Sequence, residues 1–183
     1  MSNFLKKGLI LVLMTMVVLP TVALLNGAPH SGSNGLPWTT NYNEALVKSK
    51  AEGKPILLFF TGSDWCTWCH RLESEVFETS SFIDSAKDKY IFVEVDFPKM
   101  SPISPDLKAQ NKQLQDKHGI RGYPTVVVVD GNGQKLGQIG YEAGGGQTYA
   151  NLLDKLVAPH LAKFAKAQPT QEKVAVEANS SQL

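Results

Sequence analysis

The sequence predicts an α/β domain with a central mixed β-sheet and helices on both of its faces. Short apolar runs with the character of strands buried on both sides, Ile56 to Phe60 and Tyr90 to Phe97, alternate with segments of helical spacing. Another such run, Thr125 to Val129, is followed by Asp130-Gly131-Asn132-Gly133, a tight turn into a further strand from Lys135 to Tyr141. Alternating strands and helices place the first strands parallel through right-handed crossovers, and the hairpin adds an antiparallel pair. A chain of 183 residues has room for one such domain with its tails.

Ahead of that domain, Lys6 and Lys7 precede an apolar run from Gly8 to Leu19, Pro20 closes it, and Thr21-Val22-Ala23 offers small residues to a signal peptidase. Residues 1–25 are therefore expected to be a signal peptide, or an N-terminal anchor where they stay attached, because the apolar stretch approaches bilayer-spanning length. Either way the domain is expected to be periplasmic or otherwise exported, in a compartment where disulfides persist. The 18 basic and 17 acidic residues nearly balance, so nothing in the charge attracts nucleic acid.

Residues 26–37 read as a flexible lead-in and 38–164 as the domain. A first helix, capped by Thr40 or Asn43, turns Tyr42, Ala45, Leu46 and Ala51 inward, with Trp38 beneath it, and ends at Gly53-Lys54-Pro55. The strand at Ile56 leads into a helix from Thr67, with Leu72, Val76 and Phe77 on the inner side and Arg71, Glu73, Glu75 and Glu78 elsewhere. Pro98 stops the next strand. Ser104 caps a helix that has Pro105 at its first position, faces Leu107 and Leu114 inward and ends at Gly119. Gly144-Gly145-Gly146 predicts a loop, and Thr148 to Phe164 a last helix interrupted or bent at Pro159. Residues 165–183 lack the apolar content to fold and are expected to be a disordered tail.

Both cysteines of the chain lie in SDWCTWCH, residues 63 to 70. Cys-x-x-Cys-His is also the attachment sequence of c-type haem, with His70 and Met100 as axial ligands. Small proteins of that kind are mainly helical, however, and here a buried strand runs straight into the motif. A structural zinc site needs four ligands, which His30, His70, His118 and His160 do not supply at a fitting spacing. Copper on Cys66, Cys69 and a histidine stays open. A purely structural disulfide closing so short a loop adds little stability. The redox reading explains the placement: at a helix N-terminus the free N–H groups favour a thiolate, so Cys66 is the nucleophile. Cys69, one turn on, resolves the mixed disulfide. No cofactor and no metal are expected.

Over about residues 38 to 160 the chain resembles the thioredoxin superfamily. The resemblance rests on Trp65-Cys66-Thr67-Trp68-Cys69 after an apolar strand, on Tyr90 to Asp96, and on Gly119-Ile120-Arg121-Gly122-Tyr123-Pro124-Thr125 before the valine strand. FTGSDWCTWCHRLESEVF is similar to exported bacterial thioredoxin-like thiol-disulfide oxidoreductases of the reductase type. The resemblance implies a thioredoxin fold, protein disulfides as substrates, a cis Tyr123–Pro124 bond beside the cysteines, and pairing of the Tyr123 backbone with a bound substrate chain. It places Thr67 and Trp68 at redox-tuning positions, with His70 a further influence on the thiolates. Trp65 and Trp68 flank the motif and suit client binding, although Trp68 suits core packing as well. An exported reductase draws electrons across a membrane, so a transmembrane thiol reductase is the expected donor. The chain has no room for a separate dimerisation domain and is expected to be a monomer.

The family pattern is broken at one place. Many members carry a buried acid six residues before the first cysteine, where this chain has Phe60. The proton acceptor for Cys69 is thereby unassigned, with Asp64, Glu94 or water as candidates. Reduction or isomerisation of protein disulfides is the predicted activity; a dithiol oxidase, or a metal-binding or chaperone protein on the same fold, is the alternative.

Overall fold

A computed structural model describes residues 35–167. The segment expected to be a signal peptide or anchor, most of the lead-in and most of the tail lie outside the described residues. Among the described residues no helix is long and apolar enough to cross a membrane.

Among the described residues five strands, β1 (Trp38–Thr39), β2 (Ile56–Thr61), β3 (Ile91–Asp96), β4 (Thr125–Val129) and β5 (Lys135–Ile139), form one sheet in the order β1-β3-β2-β4-β5. β1, β3 and β2 run parallel, β4 is antiparallel to β2, and β5 is antiparallel to β4. The sheet is mixed, as predicted. Side chains alternate across each strand, so the sheet supports two cores. Leu58, Phe60, Val93, Val95 and Val127 face helices α1 (Tyr42–Glu52) and α4 (Pro105–His118). Leu57, Phe59, Phe92, Val126 and Val128 face α2 (Thr67–Leu72), the π-helical turn that continues it (Glu73–Phe77), α3 (Ser80–Ala86) and α5 (Gly145–Ala167). β2 and β4 are buried on both sides, which is why their sequences are apolar without alternation.

Several local expectations are corrected. Trp38 does not pack beneath α1. It lies in β1 opposite Phe92 in register, shares that residue's side of the sheet, and meets Phe92, Phe77 and Phe59 at ring distances of 5.2, 5.4 and 5.8 Å. Asn41, not Thr40 or Asn43, caps α1, its carboxamide oxygen accepting from the Glu44 N–H at 3.1 Å. Ala51 is exposed and Leu46 only half-buried, while Ser49 takes the inward position.

Leu36 is buried in the core just ahead of the expected domain start. At the other end the helix runs past Phe164 to Ala167, with Pro159 inside it. Gly145 and Gly146 begin α5 instead of forming a loop. A β-carbon on Gly146 would stand 2.0 Å from the Thr79 hydroxyl and 2.9 Å from the Phe82 β-carbon, so glycine here permits the close approach of α5 to α3.

Candidate active site

β2 ends at Thr61, and the carbonyl of Gly62 then accepts the N–H groups of Trp65 and Cys66 at 3.1 and 2.8 Å. This turn delivers Cys66 to the N-cap of α2 in extended conformation, where its sulfur accepts the Cys69 N–H at 3.2 Å. Cys66 and Cys69 are joined in a disulfide, with their Cα atoms 5.2 Å apart. Cys66 is 5% exposed and Cys69 0%, so of the two only Cys66 has surface open to a partner sulfur.

Of the other sequence-predicted residues, Trp65, Thr67, Trp68 and His70 belong to the motif itself, and Tyr123 meets it through the Trp65 ring. Trp65 is 37% exposed; its indole N–H donates to the Phe97 carbonyl at 2.8 Å and its ring stands edge-on to Tyr123 at 5.6 Å. The Lys99 ammonium lies 4.0 Å from the Trp65 ring centre. The Tyr123–Pro124 peptide bond is cis, and the Tyr123 hydroxyl accepts from the Gln115 side chain at 2.6 Å. The Trp65–Tyr123 contact therefore ties the segment before Pro124 to the cysteine motif. Trp68 is 53% exposed, which removes the core-packing alternative. Its ring lies 5.2 Å from Tyr141 and 5.2 Å from the Arg71 guanidinium. Arg71 pairs with Glu75 at 2.7 Å, and Tyr141 donates to the same carboxylate. Thr67 is exposed beside Cys66. His70 is exposed and donates from Nε2 to the Ser63 carbonyl at 2.7 Å, so this nitrogen braces the motif loop.

Neither the position of the family's buried acid nor Asp64 supplies a base for Cys69. Phe60 is fully buried in the core opposite to that of Cys69, with its ring 6.3 Å from that of His118. The Asp64 carboxylate accepts the backbone N–H groups of Lys99, Met100 and Ser101 at 2.9, 2.7 and 2.9 Å. These bonds, that from Lys99 foremost, hold its carboxyl below the usual carboxylate range, and Asp64 acts as a staple on the loop after β3.

Sequence reasoning misses Glu73, which the helical spacing sets away from the inner side together with Arg71, Glu75 and Glu78. It is half-buried and lines a cavity of 360 Å³ with Trp38, Phe59, Phe77 and, from β3, Glu94 and Asp96. Burial, reinforced by the negative charge of Glu94, pushes its carboxyl up to about 7. Its position four residues after Cys69 on a helix was the available signal.

Because the folded protein holds the Glu73 proton more tightly than the unfolded chain, stability falls as pH rises from 4.5 through about 7 and levels off above. Urea unfolding of the wild type and Glu73→Gln at about pH 5 and pH 8 measures this. After allowing for screening at the open side of the cavity, the wild type is expected to lose about 1–2 kcal/mol more than the variant. His118, whose burial pulls its pKa down to about 4, slopes the other way below 6.5 and is common to both proteins.

A disulfide spanning the first turn of a helix, at the end of a central strand of this sheet and tied to a cis-proline segment, defines a thioredoxin-fold redox protein. The thioredoxin-like domain family matches residues 42–156, and the chain belongs to it. It is 38% identical over 123 residues to the disulfide bond reductase DsbH of Chlamydia pneumoniae, covering 67% of this chain and 73% of that protein. It is 32% identical over 145 residues to the thioredoxin-related protein DsbJ of the same organism, covering 79% of this chain and 41% of the relative. A solved structure of a DsbH oxidoreductase superposes with a TM-score of 0.65 at 34% identity, covering 73% of this chain and 92% of the other. The protein is a thiol-disulfide oxidoreductase that exchanges disulfides with protein partners.

Proposed function

We propose that the protein reduces or isomerises disulfides of exported proteins, with Cys66 attacking the substrate disulfide and Cys69 resolving the mixed disulfide. The observation that carries this reading is the asymmetry of the two sulfurs. Cys66 caps α2 and retains some exposure, whereas Cys69 has none. Once the pair is reduced, the N–H that Cys69 directs at the Cys66 sulfur stabilises a thiolate there.

Trp65, Tyr123 and Pro124 form the substrate side of the site in this proposal, and Thr67, Trp68 and His70 set its potential. The name of the Chlamydia relative, disulfide bond reductase, supports the reductive direction. The same reading makes residues 1–25 an export signal or anchor, 38–164 the working domain, and the protein a periplasmic monomer recharged by a transmembrane thiol reductase.

A glutathione redox titration, with the thiols counted by alkylation and intact mass, tests the direction. The expected result is a reversible two-thiol couple near that of thioredoxin, about −270 mV. A couple near about −120 mV, in the range of strong dithiol oxidants, overturns the reductive assignment.

A further inference from the structure

We propose that Glu73 accepts the proton of Cys69 when that thiol attacks the mixed disulfide, an inference that rests on Cys69 being the resolving cysteine. α2 and the π-helical turn form one continuous helical run, and the Glu73 N–H bonds to the carbonyls of Cys69 and His70. Residues four apart on such a run lie on one face, with β-carbons about 5–6 Å apart. Cys69 is fully buried, so its thiol proton needs a carrier to reach solvent. Cys69 does not itself line the cavity, but Glu73, one helical turn on, borders it, and its rim carries the exposed Glu78 and Ser101, so a proton taken up by Glu73 has a path to solvent.

The groups facing Glu73 suit the role. β3 contributes Glu94 and Asp96, the helical run itself His70 and Glu78, and β1, β2 and α4 the non-titrating Trp38, Phe59 and Asn111. No Lys, Arg or His is among the described residues lining the cavity. Burial and the charge of Glu94 leave the carboxylate basic enough to take a proton near neutral pH, which Asp64, held by three amides, is not.

In the step itself the mixed disulfide joins the Cys66 sulfur to a substrate sulfur. Glu73 takes the Cys69 proton and the thiolate bonds to the Cys66 sulfur. The bond from Cys66 to the substrate breaks, and its electron pair leaves on the substrate sulfur, which takes a proton from water. Glu73 then passes its proton to solvent through the cavity. Over the cycle the substrate disulfide gains two electrons and two protons, and the enzyme dithiol becomes the Cys66–Cys69 disulfide.

Stopped-flow reaction of the reduced protein with the aromatic disulfide DTNB separates the two steps. Thionitrobenzoate is released first in a bimolecular phase as Cys66 attacks, then in an intramolecular phase as Cys69 resolves. In Glu73→Gln the second phase is expected to slow about a hundredfold at neutral pH and to lose its inflection near pH 7, with the first phase unchanged within about twofold. Glu73→Asp restores part of the rate. In Glu94→Gln, where Glu73 loses its negative neighbour, the inflection moves to lower pH. A second phase in Glu73→Gln that keeps the wild-type rate and inflection overturns the inference, as does an inflection unmoved in Glu94→Gln. A wild type with no second phase removes the resolving role of Cys69 and the inference together.

Discussion

Cys66→Ser is expected to lose disulfide exchange with insulin by about a thousandfold or more, the scale of removing a nucleophile and not a positioning group. Cys69→Ser is expected to behave differently, still attacking, stopping at the mixed disulfide and accumulating as a covalent adduct visible by intact mass. The difference follows from the placement of the two sulfurs. Cys66 stands at the helix N-cap and receives the Cys69 N–H at 3.2 Å, an environment that favours the thiolate and leaves it within reach of a partner. Cys69 is closed off from solvent and can react only with a sulfur already brought to Cys66. The mirror-image result, with adducts accumulating on Cys66→Ser, would exchange the two assignments.

Phe77→Ala is expected to destabilise the domain by about 3–5 kcal/mol, a large share of the roughly 5–15 kcal/mol that holds a domain folded. The Phe77 ring is the hub of an aromatic cluster, with ring centres at 5.0 Å to Phe59, 5.2 Å to Phe82, 5.4 Å to Trp38 and 6.0 Å to Tyr149. These partners come from β2, α3, β1 and α5, so truncation leaves a cavity that no single element can close. The edge-on contacts to Phe59 and Tyr149 add to the loss. Urea unfolding provides the measurement, and a loss under about 1 kcal/mol would show that the cluster repacks around the gap. Phe77→Leu, which keeps most of the volume, is expected to cost clearly less.

The parts of this structure that the sequence reveals are those with a strong local signal. β2 and β4 announce themselves as uninterrupted apolar runs, α4 by Ser104, Pro105 and Gly119 at its ends, and the redox pair by a rare residue type at fixed spacing. The missed features depend on partners distant in the chain. A strand of two residues has no period, so Trp38 could not be assigned to β1 or to a side of the sheet. α3 has only seven residues, too few for a persuasive amphipathic pattern, although Thr79 caps it. Gly145 and Gly146 argue against helix by propensity, and packing against α3 overrides them. Glu73 reads as one more acid on a charged helix because its cavity is built from β1, β2, β3 and the loop before α4.

The order of the strands also bears on how far the aggregation-prone segments of this protein are exposed. Its most fibril-prone stretches, ILLFF in β2 and TVVVV in β4, occupy interior lanes of the sheet and have their backbone groups paired on both sides. The lanes left at the margins are β1, two residues long, and β5, whose sequence KLGQI carries a lysine, a glycine and a glutamine. Neither margin offers a long, flat apolar template for another chain to extend. Safety from aggregation is thus tied to keeping the sheet intact, and a lesion that frees β2 or β4 exposes sticky segments as well as lowering stability.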